Sequence, residues 1–170
     1  MNRICQVVGR LMWLMALPLA MPLSLAQAAA VGEVLNTPAM LVPQATSAVL
    51  LDLARAGSRL VAVGERGIVL LSDDNGASWR QVAVPVSVSL TAVQFVDAST
   101  GWAVGHGGVV LASRDGGEHW VVQLDGLRAA QLELAAASAQ LPSANDQDAA
   151  AARVQTAERY VSEGADKPFL

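Results

Sequence analysis

The sequence is short of the side chains most enzymes and metal proteins need. It has one cysteine, Cys5, one tyrosine, Tyr160, and two histidines, His106 and His119, in 170 residues. A lone cysteine closes no internal disulfide, and two histidines without neighbouring cysteines do not make up a zinc set of four N or S ligands. There is no basic cluster: 11 Lys and Arg face 15 Asp and Glu, a net charge of -4. That balance argues against nucleic acid and anionic lipid as partners. The segment GHGG, residues 105–108, resembles an oxyanion loop, but no G-x-S-x-G follows to provide a nucleophile elbow. The acidic run DDNG, residues 73–76, lacks the alternating oxygen ligands and distant glutamate of a calcium loop. No cofactor, metal or small-molecule substrate is therefore expected.

The first 28 residues are expected to be a signal peptide. Arg3 and Arg10 precede the apolar stretch LMWLMALPLAMPLSLA, and AQAAA supplies small residues for cleavage, which is favoured after Ala28. Pro18 and Pro22 interrupt a run already short for a bilayer span. Cleavage there removes Cys5 and two arginines, leaving 9 basic residues against 15 acidic ones. The mature protein is expected to be exported and periplasmic. Residues 29–47, with Pro38 and Pro43, read as an extended lead-in.

From residue 48 to 126 short apolar runs alternate with glycine-rich or Asx-rich punctuation: AVLLDLA, RLVAVG, GIVLLS, SWRQVAV, then LTAVQFVD, GWAVG, GVVLAS, HWVVQLD. Such runs, bounded by turn residues, predict antiparallel strands. They also repeat. LVAVGERGIVLLSDDNGASW, residues 60–79, and GWAVGHGGVVLASRDGGEHW, residues 101–120, share 10 of 20 positions at a constant offset of 41. Four short strands per period of this length predict a propeller blade. The fold expected is mainly β: a partial propeller of two four-stranded antiparallel blades, residues 48–85 and 89–126, followed by a C-terminal helical hairpin.

Both copies contain the frame Ser-x-Asp-x-Gly-x-x-Trp, as Ser72, Asp74, Gly76 and Trp79, then Ser113, Asp115, Gly117 and Trp120. It falls between the third and fourth strands of each unit. Its aspartate can accept from backbone N–H groups a few residues on, and its serine can add a second bond across the turn. The glycine can take a positive φ, and the tryptophan can cover the loop with a large apolar face. Gly64 and Gly67, matched by Gly105 and Gly108, mark equivalent turns between the second and third strands. Asp73 is replaced by Arg114 in the second copy and reads as an incidental neighbour. His106 and His119 read as solvated turn residues.

The frame is the Asp-box, or BNR repeat, which in sialidases and other propellers is a structural turn away from the catalytic face. A sialidase-like propeller that binds or cleaves glycans is the alternative this raises. Sialidase chemistry needs an arginine cluster, a tyrosine nucleophile with a nearby glutamate, and an acid/base aspartate. Tyr160 falls in the helical region, and Arg55, Arg59, Arg66, Arg80 and Arg114 are scattered over the β region. The catalytic residues of that alternative are lacking. More closely, residues 48–125 and the final DKPFL resemble the photosystem II assembly/stability factor family, whose repeats read "GWAVG" followed by an Asp-box. The resemblance implies an exported, non-enzymatic propeller scaffold that engages a membrane-protein complex of the cell envelope during assembly or function. In photosynthetic members the partner is a photosystem II reaction-centre subunit.

Residues 127–164 interrupt the repeat. Leu127, Ala130, Leu134, Ala137 and Leu141 recur at helical spacing until Pro142. A second helix is expected from Asn145 or Asp146, burying Ala150, Val154, Ala157 and Val161 and stopping at Gly164. The hairpin reads as a decorated connection between blades, or as a docking finger. Residues 165–170 read as the start of a missing third blade. Closed propellers have four or more blades, so the chain is expected to be a fragment of a longer propeller.

Overall fold

The computed structural model describes residues 34–163. The signal segment, the expected stop at Gly164 and the third-blade segment lie outside the described residues.

Among the described residues, eight strands form two sheets, each in sequential order. The first holds β1 (Leu50–Ala56), β2 (Arg59–Gly64), β3 (Val69–Ser72) and β4 (Arg80–Gln81). The second holds β5 (Leu90–Phe95), β6 (Gly101–Gly105), β7 (Val109–Ser113) and β8 (Val121–Leu124). All neighbouring strands are antiparallel, with a register irregularity in the first pair of each sheet. This is a partial propeller with a C-terminal helical pair, α1 (Gly126–Gln140) and α2 (Gln147–Glu163).

Period-2 alternation gives each sheet two faces. In the first, Val61 pairs with Leu71 and Val63 with Val69, putting all four on one side. Ala62 and Leu70 pair on the other side. The four-residue side enters the main core with Val93, Ala103, Val109, Leu111 and Trp120 of the second sheet. The two blades thus stack face to face, and β1 and β2 both touch β5. The first sheet's opposite side packs with Ile68, Trp79 and the preceding segment through Ala45 and Ala48.

Three local expectations change. The lead-in is not simply extended: Ala45–Ser47 forms a 3-10 turn, and Leu35, Ala39 and Ala45 are buried. It is tied down by bonds from Ala39 N to Val84 O and from Ser87 N to Val34 O, both 2.9 Å. No periodicity marked it because its anchors are single residues between turns. The run SWRQVAV supplies only the two-residue β4, although Val82, Val84, Val86 and Val88 stay buried in alternation. Val82 N still donates to Val69 O of β3 at 3.0 Å, but Pro85 brings no N–H to a ladder, so the rest of the stretch keeps a strand's side-chain pattern beyond the paired residues. Finally, Leu127 is 39% exposed and not a core residue, whereas Gly126, Ala130 and Ala137 are buried. The helices meet through small residues, so alanine rather than leucine sets their contact.

The helix starts follow capping chemistry. Asp125 accepts from Arg128 N at 2.8 Å, and Asp146 accepts from Ala149 N at 2.9 Å, each filling an orphan donor of a first turn. A short 3-10 turn at Leu141–Ser143, containing Pro142, separates the two helices. Arg153 reaches back to Glu133 at 3.7 Å and to Gln140 at 3.4 Å, so α2 runs antiparallel to α1.

Candidate functional site

Each Asp-box is a closed hydrogen-bonded corner linking the third strand of its sheet to the fourth. In the first, Ser72 Oγ donates to Asp74 Oδ1 and accepts from Gly76 N, both at 2.8 Å. Asp74 also accepts from Ser78 N at 2.8 Å and from Ser78 Oγ at 2.5 Å. In the second, Ser113 Oγ donates to Asp115 and accepts from Gly117 N, both at 2.9 Å. Asp115 accepts from His119 N at 3.0 Å and meets His119 Nδ1 at 2.7 Å. His119 is therefore solvent-exposed, as expected, but it is also bonded to the box. His106 sits exposed in the 3-10 turn His106–Gly108.

Ser78 holds the Asp74 carboxyl down at about 2, helped by Ser72. Partial burial works against ionisation of Asp115, yet the His119 and Ser113 bonds leave it below the usual carboxylate range. Both acids are thus held as carboxylates that accept bonds from their own loop. A cavity of about 210 Å³ beside the first box is lined by Leu71, Asp73, Asp74, Ser78, Trp79 and Arg80 and does not include Asp115.

The box glycines and the turn glycines serve different ends. Gly76 and Gly117 have φ of 93° and 88°, where a side chain is strained. Gly64 and Gly105 are extended. A Cβ on either would stand 2.2 Å from a backbone oxygen, that of Val49 or Ser89, so the requirement there is close approach. Gly67 and Gly108 take φ of 73° and 66° in the 3-10 turns.

The tryptophans are unequal. Trp120 is 5% exposed, donates from Nε1 to Gly117 O at 2.9 Å and meets the Phe95 ring edge-on at 6.0 Å. Trp79 is half-buried and donates to Gly76 O at 3.2 Å.

The incidental reading of Asp73 is corrected by the structure. Asp73 accepts from Arg59 Nε at 2.6 Å and lies 3.7 Å from Arg80. Arg59 and Arg80 also converge on Glu118 of the second box, Arg59 at 2.8 Å. Arg59 further donates to Gly116 O at 3.2 Å. The scattered arginines are thus partly gathered, and they hold an internal carboxylate. Arg80 and Arg59 push the Glu118 carboxyl down, and Arg59 does the same to Asp73. A second cross-link joins Asp52 to Val93 N at 2.8 Å. Comparing the copies could not reveal these ties, because they connect non-equivalent positions. The positions matching Arg59, Asp73 and Arg80 are Thr100, Arg114 and Val121. The readable signal was opposite charge at the two box corners.

Tyr160, the residue on which a sialidase reading depends, lies on α2 with Arg159 stacked 5.9 Å over its ring. Among the described residues no cluster of three or more His, Cys, Asp or Glu could hold a metal ion. No described helix is long and apolar enough to cross a membrane.

Residues 71–141 match a family described as "Photosynthesis system II assembly factor YCF48". Among solved structures, one of "YCF48 bound to D1 peptide" is similar at 26% identity with a TM-score of 0.42. The similarity covers 51% of this chain and 29% of that one, so the chain spans less than a third of that relative's length. No curated protein matches the sequence.

Proposed function

We propose, for a chain whose residues 71–141 are of the YCF48 assembly-factor family, the role of an exported, non-catalytic scaffold. It holds a membrane-protein subunit of the cell envelope while a larger complex is put together. The family match carries this reading. The geometry supports it, because the carboxylates that could suggest catalysis each accept several hydrogen bonds from their own turns. General acid or base work needs a carboxyl within reach of substrate and with a pKa near the working pH. Asp74 at about 2 is poised for neither role.

What remains for function is surface. Two stacked blades form a platform that carries exposed turns and the helical pair, and connecting segments are the usual place for recognition on such scaffolds. The basic and apolar order of residues 1–28 supports export.

The test is recovery of partners from chemically crosslinked envelopes by the tagged full-length chain. The expected result is enrichment of the subunits of one membrane complex, lost when crosslinker is left out. Recovery of soluble proteins alone would end the scaffold reading. Turnover of a fluorogenic glycoside by the purified chain would overturn the non-catalytic part.

A further inference from the structure

The first box carries a reactive dipeptide that its shared frame does not require. Of the four asparagines, Asn2, Asn36, Asn75 and Asn145, only Asn75 is followed by glycine. An asparagine before glycine can react with its own backbone, because no Cβ on the next residue blocks that residue's nitrogen from reaching Cγ. Asn75 is exposed and sits at φ of 61°, in the left-handed region that Asn tolerates. The matching position of the second box is Gly116, at φ of 73°. The corner needs a left-handed residue at this place and does not need an amide.

Two hydrogen bonds act on the pair in opposite directions. Arg55 Nη2 donates to Asn75 Oδ1 at 2.8 Å. A cation on that oxygen draws electrons from Cγ and stabilises the negative charge that develops on the oxygen under attack. Gly76 N, the attacking atom, must first give up its proton. It donates that proton to Ser72 Oγ at 2.8 Å, and Ser72 Oγ donates in turn to Asp74 Oδ1 at 2.8 Å. A proton held on an oxygen beside a carboxylate is hard to lose, and Ser72, 1% exposed, leaves no room for water to take it.

We propose that Asn75-Gly76 is a self-modification site, activated at the amide by Arg55 and held shut at the nucleophile by Ser72. When the corner opens, Gly76 N bonds to Asn75 Cγ, the Cγ–Nδ2 bond breaks, and ammonia leaves with the Gly76 proton. Water then opens the cyclic imide. Cleavage at Cγ leaves an aspartate at position 75, and cleavage at the main-chain carbonyl leaves an isoaspartate whose backbone is one carbon longer. The aspartate product keeps Arg55 beside it as an ion-pair partner. The isoaspartate product puts an extra atom between Asp74 and Gly76, so the bond from Gly76 N to Ser72 no longer closes as before. Asp73 of the same corner holds Arg59, which crosses to Glu118, so the tie between the blades loosens with it. Each opening of the corner is thereby open to a permanent covalent record. The inference does not depend on which membrane protein the scaffold holds.

The experiment incubates the purified full-length chain in mildly alkaline buffer, with and without unfolding urea. Peptide mapping by mass spectrometry follows amide-to-acid conversion at position 75, and labelling with an isoaspartyl methyltransferase counts isoaspartate. The folded chain should convert at least about tenfold more slowly than the unfolded one, because the reaction waits for local opening. Ser72→Ala, with a far-UV spectrum like the parent's, should convert about two- to tenfold faster than the parent without urea, the scale of one lost hydrogen bond. Adding Arg55→Gln to that variant should slow it again. Asn75→Gly should keep the fold, as Gly116 does in the second box, and yield no product. If Ser72→Ala does not fold, the parent in urea below its transition replaces it, and its rate should rise with urea. Equal rates in the folded and unfolded chains would overturn the proposal. So would a folded Ser72→Ala no faster than the parent, a double variant no slower than Ser72→Ala, or a rate flat across urea below the transition.

Discussion

Replacing each box tryptophan by alanine separates the two corners, which the repeat makes look alike. An indole buries roughly 150–250 Å². At about 25 cal/mol per Å², full burial is worth about 4–6 kcal/mol, an upper bound because unfolded chains already shield part of that area. Trp120 is 5% exposed and has the Phe95 ring against it. Trp120→Ala should therefore cost about 3–5 kcal/mol, the usual range for a buried tryptophan. Trp79 is half-buried, has the longer indole bond of 3.2 Å, and packs in the smaller cluster. Trp79→Ala should cost about 2 kcal/mol, half the area-based figure. The assay is urea unfolding of the full chain followed by far-UV circular dichroism, which is insensitive to the lost fluorophores. With a slope of about 1–2 kcal/mol per M, the midpoints of the two variants should differ by about 0.5–3 M. Trp120→Phe should fall between parent and alanine, keeping an aromatic ring near Phe95 and losing the bond to Gly117 O. Equal shifts for the two alanine variants, or a larger one for Trp79, would refute the claim that burial between blades governs the motif's contribution.

Two turn acids make stability fall in acid: Asp74 of the first box, and Asp97 in the turn between β5 and β6. Asp74 and Asp97 titrate at about 2 in the folded protein, Asp97 through Ser99 and Thr100, against an ordinary 3.8. Their contribution is complete above the ordinary carboxylate range and is lost as pH falls from about 4 through about 2. Urea midpoints taken from pH 5 to pH 2 should decline, and the decline should be shallower in Asp74→Asn. Gly117→Ala should cost more than Gly76→Ala by thermal melting, about 1–3 kcal/mol for an overpacked core contact. Both positions have positive φ, but the new methyl at 117 would lie 3.2 Å from Leu71, whereas that at 76 finds its nearest neighbour at 3.7 Å. Glu118→Gln should lower the urea midpoint in dilute buffer by an amount that shrinks in 1 M NaCl, since partly exposed ion pairs are screened by salt. A loss independent of salt would show that Glu118 acts through packing.

The architecture was legible because a propeller blade repeats its local instructions. Ser72, Asp74, Gly76 and Trp79 close a corner with bonds spanning at most four residues, and the second copy restates them at one fixed offset. Strand order followed from the same punctuation. What was hidden depends on distance in sequence. The short β4 is limited by Pro85 and by a lead-in that bonds to Val84 and Ser87 from about fifty residues upstream. The Leu127 position failed because a helix buries a leucine only where a neighbour covers it, and here the covered stripe is Ala130 and Ala137. Asp73 reads as incidental from the repeat because it differs between copies, and that difference is what suits it to Arg59 and Arg80.

Identity between repeats and energetic contribution are therefore separate quantities in this fold. The shared serine, aspartate and glycine of each box close that blade's own turn, which each blade must do whatever lies beside it. The charged residues that differ, at 59, 73, 80 and 118, tie one blade to the next, where one side must complement the other rather than copy it. Glu118 with Arg59 and Arg80, and Asp52 with the Val93 amide, are pairs of this second kind. Had both blades carried arginine at the positions of 59 and 80, or both an acid at 118, the order of stacking would be unmarked. A register slip or exchange of blades would then meet no charge penalty. Unequal charges at equivalent corners give each blade a preferred neighbour. The place to look for what distinguishes this chain from other Asp-box proteins is the set of positions its two repeats do not share.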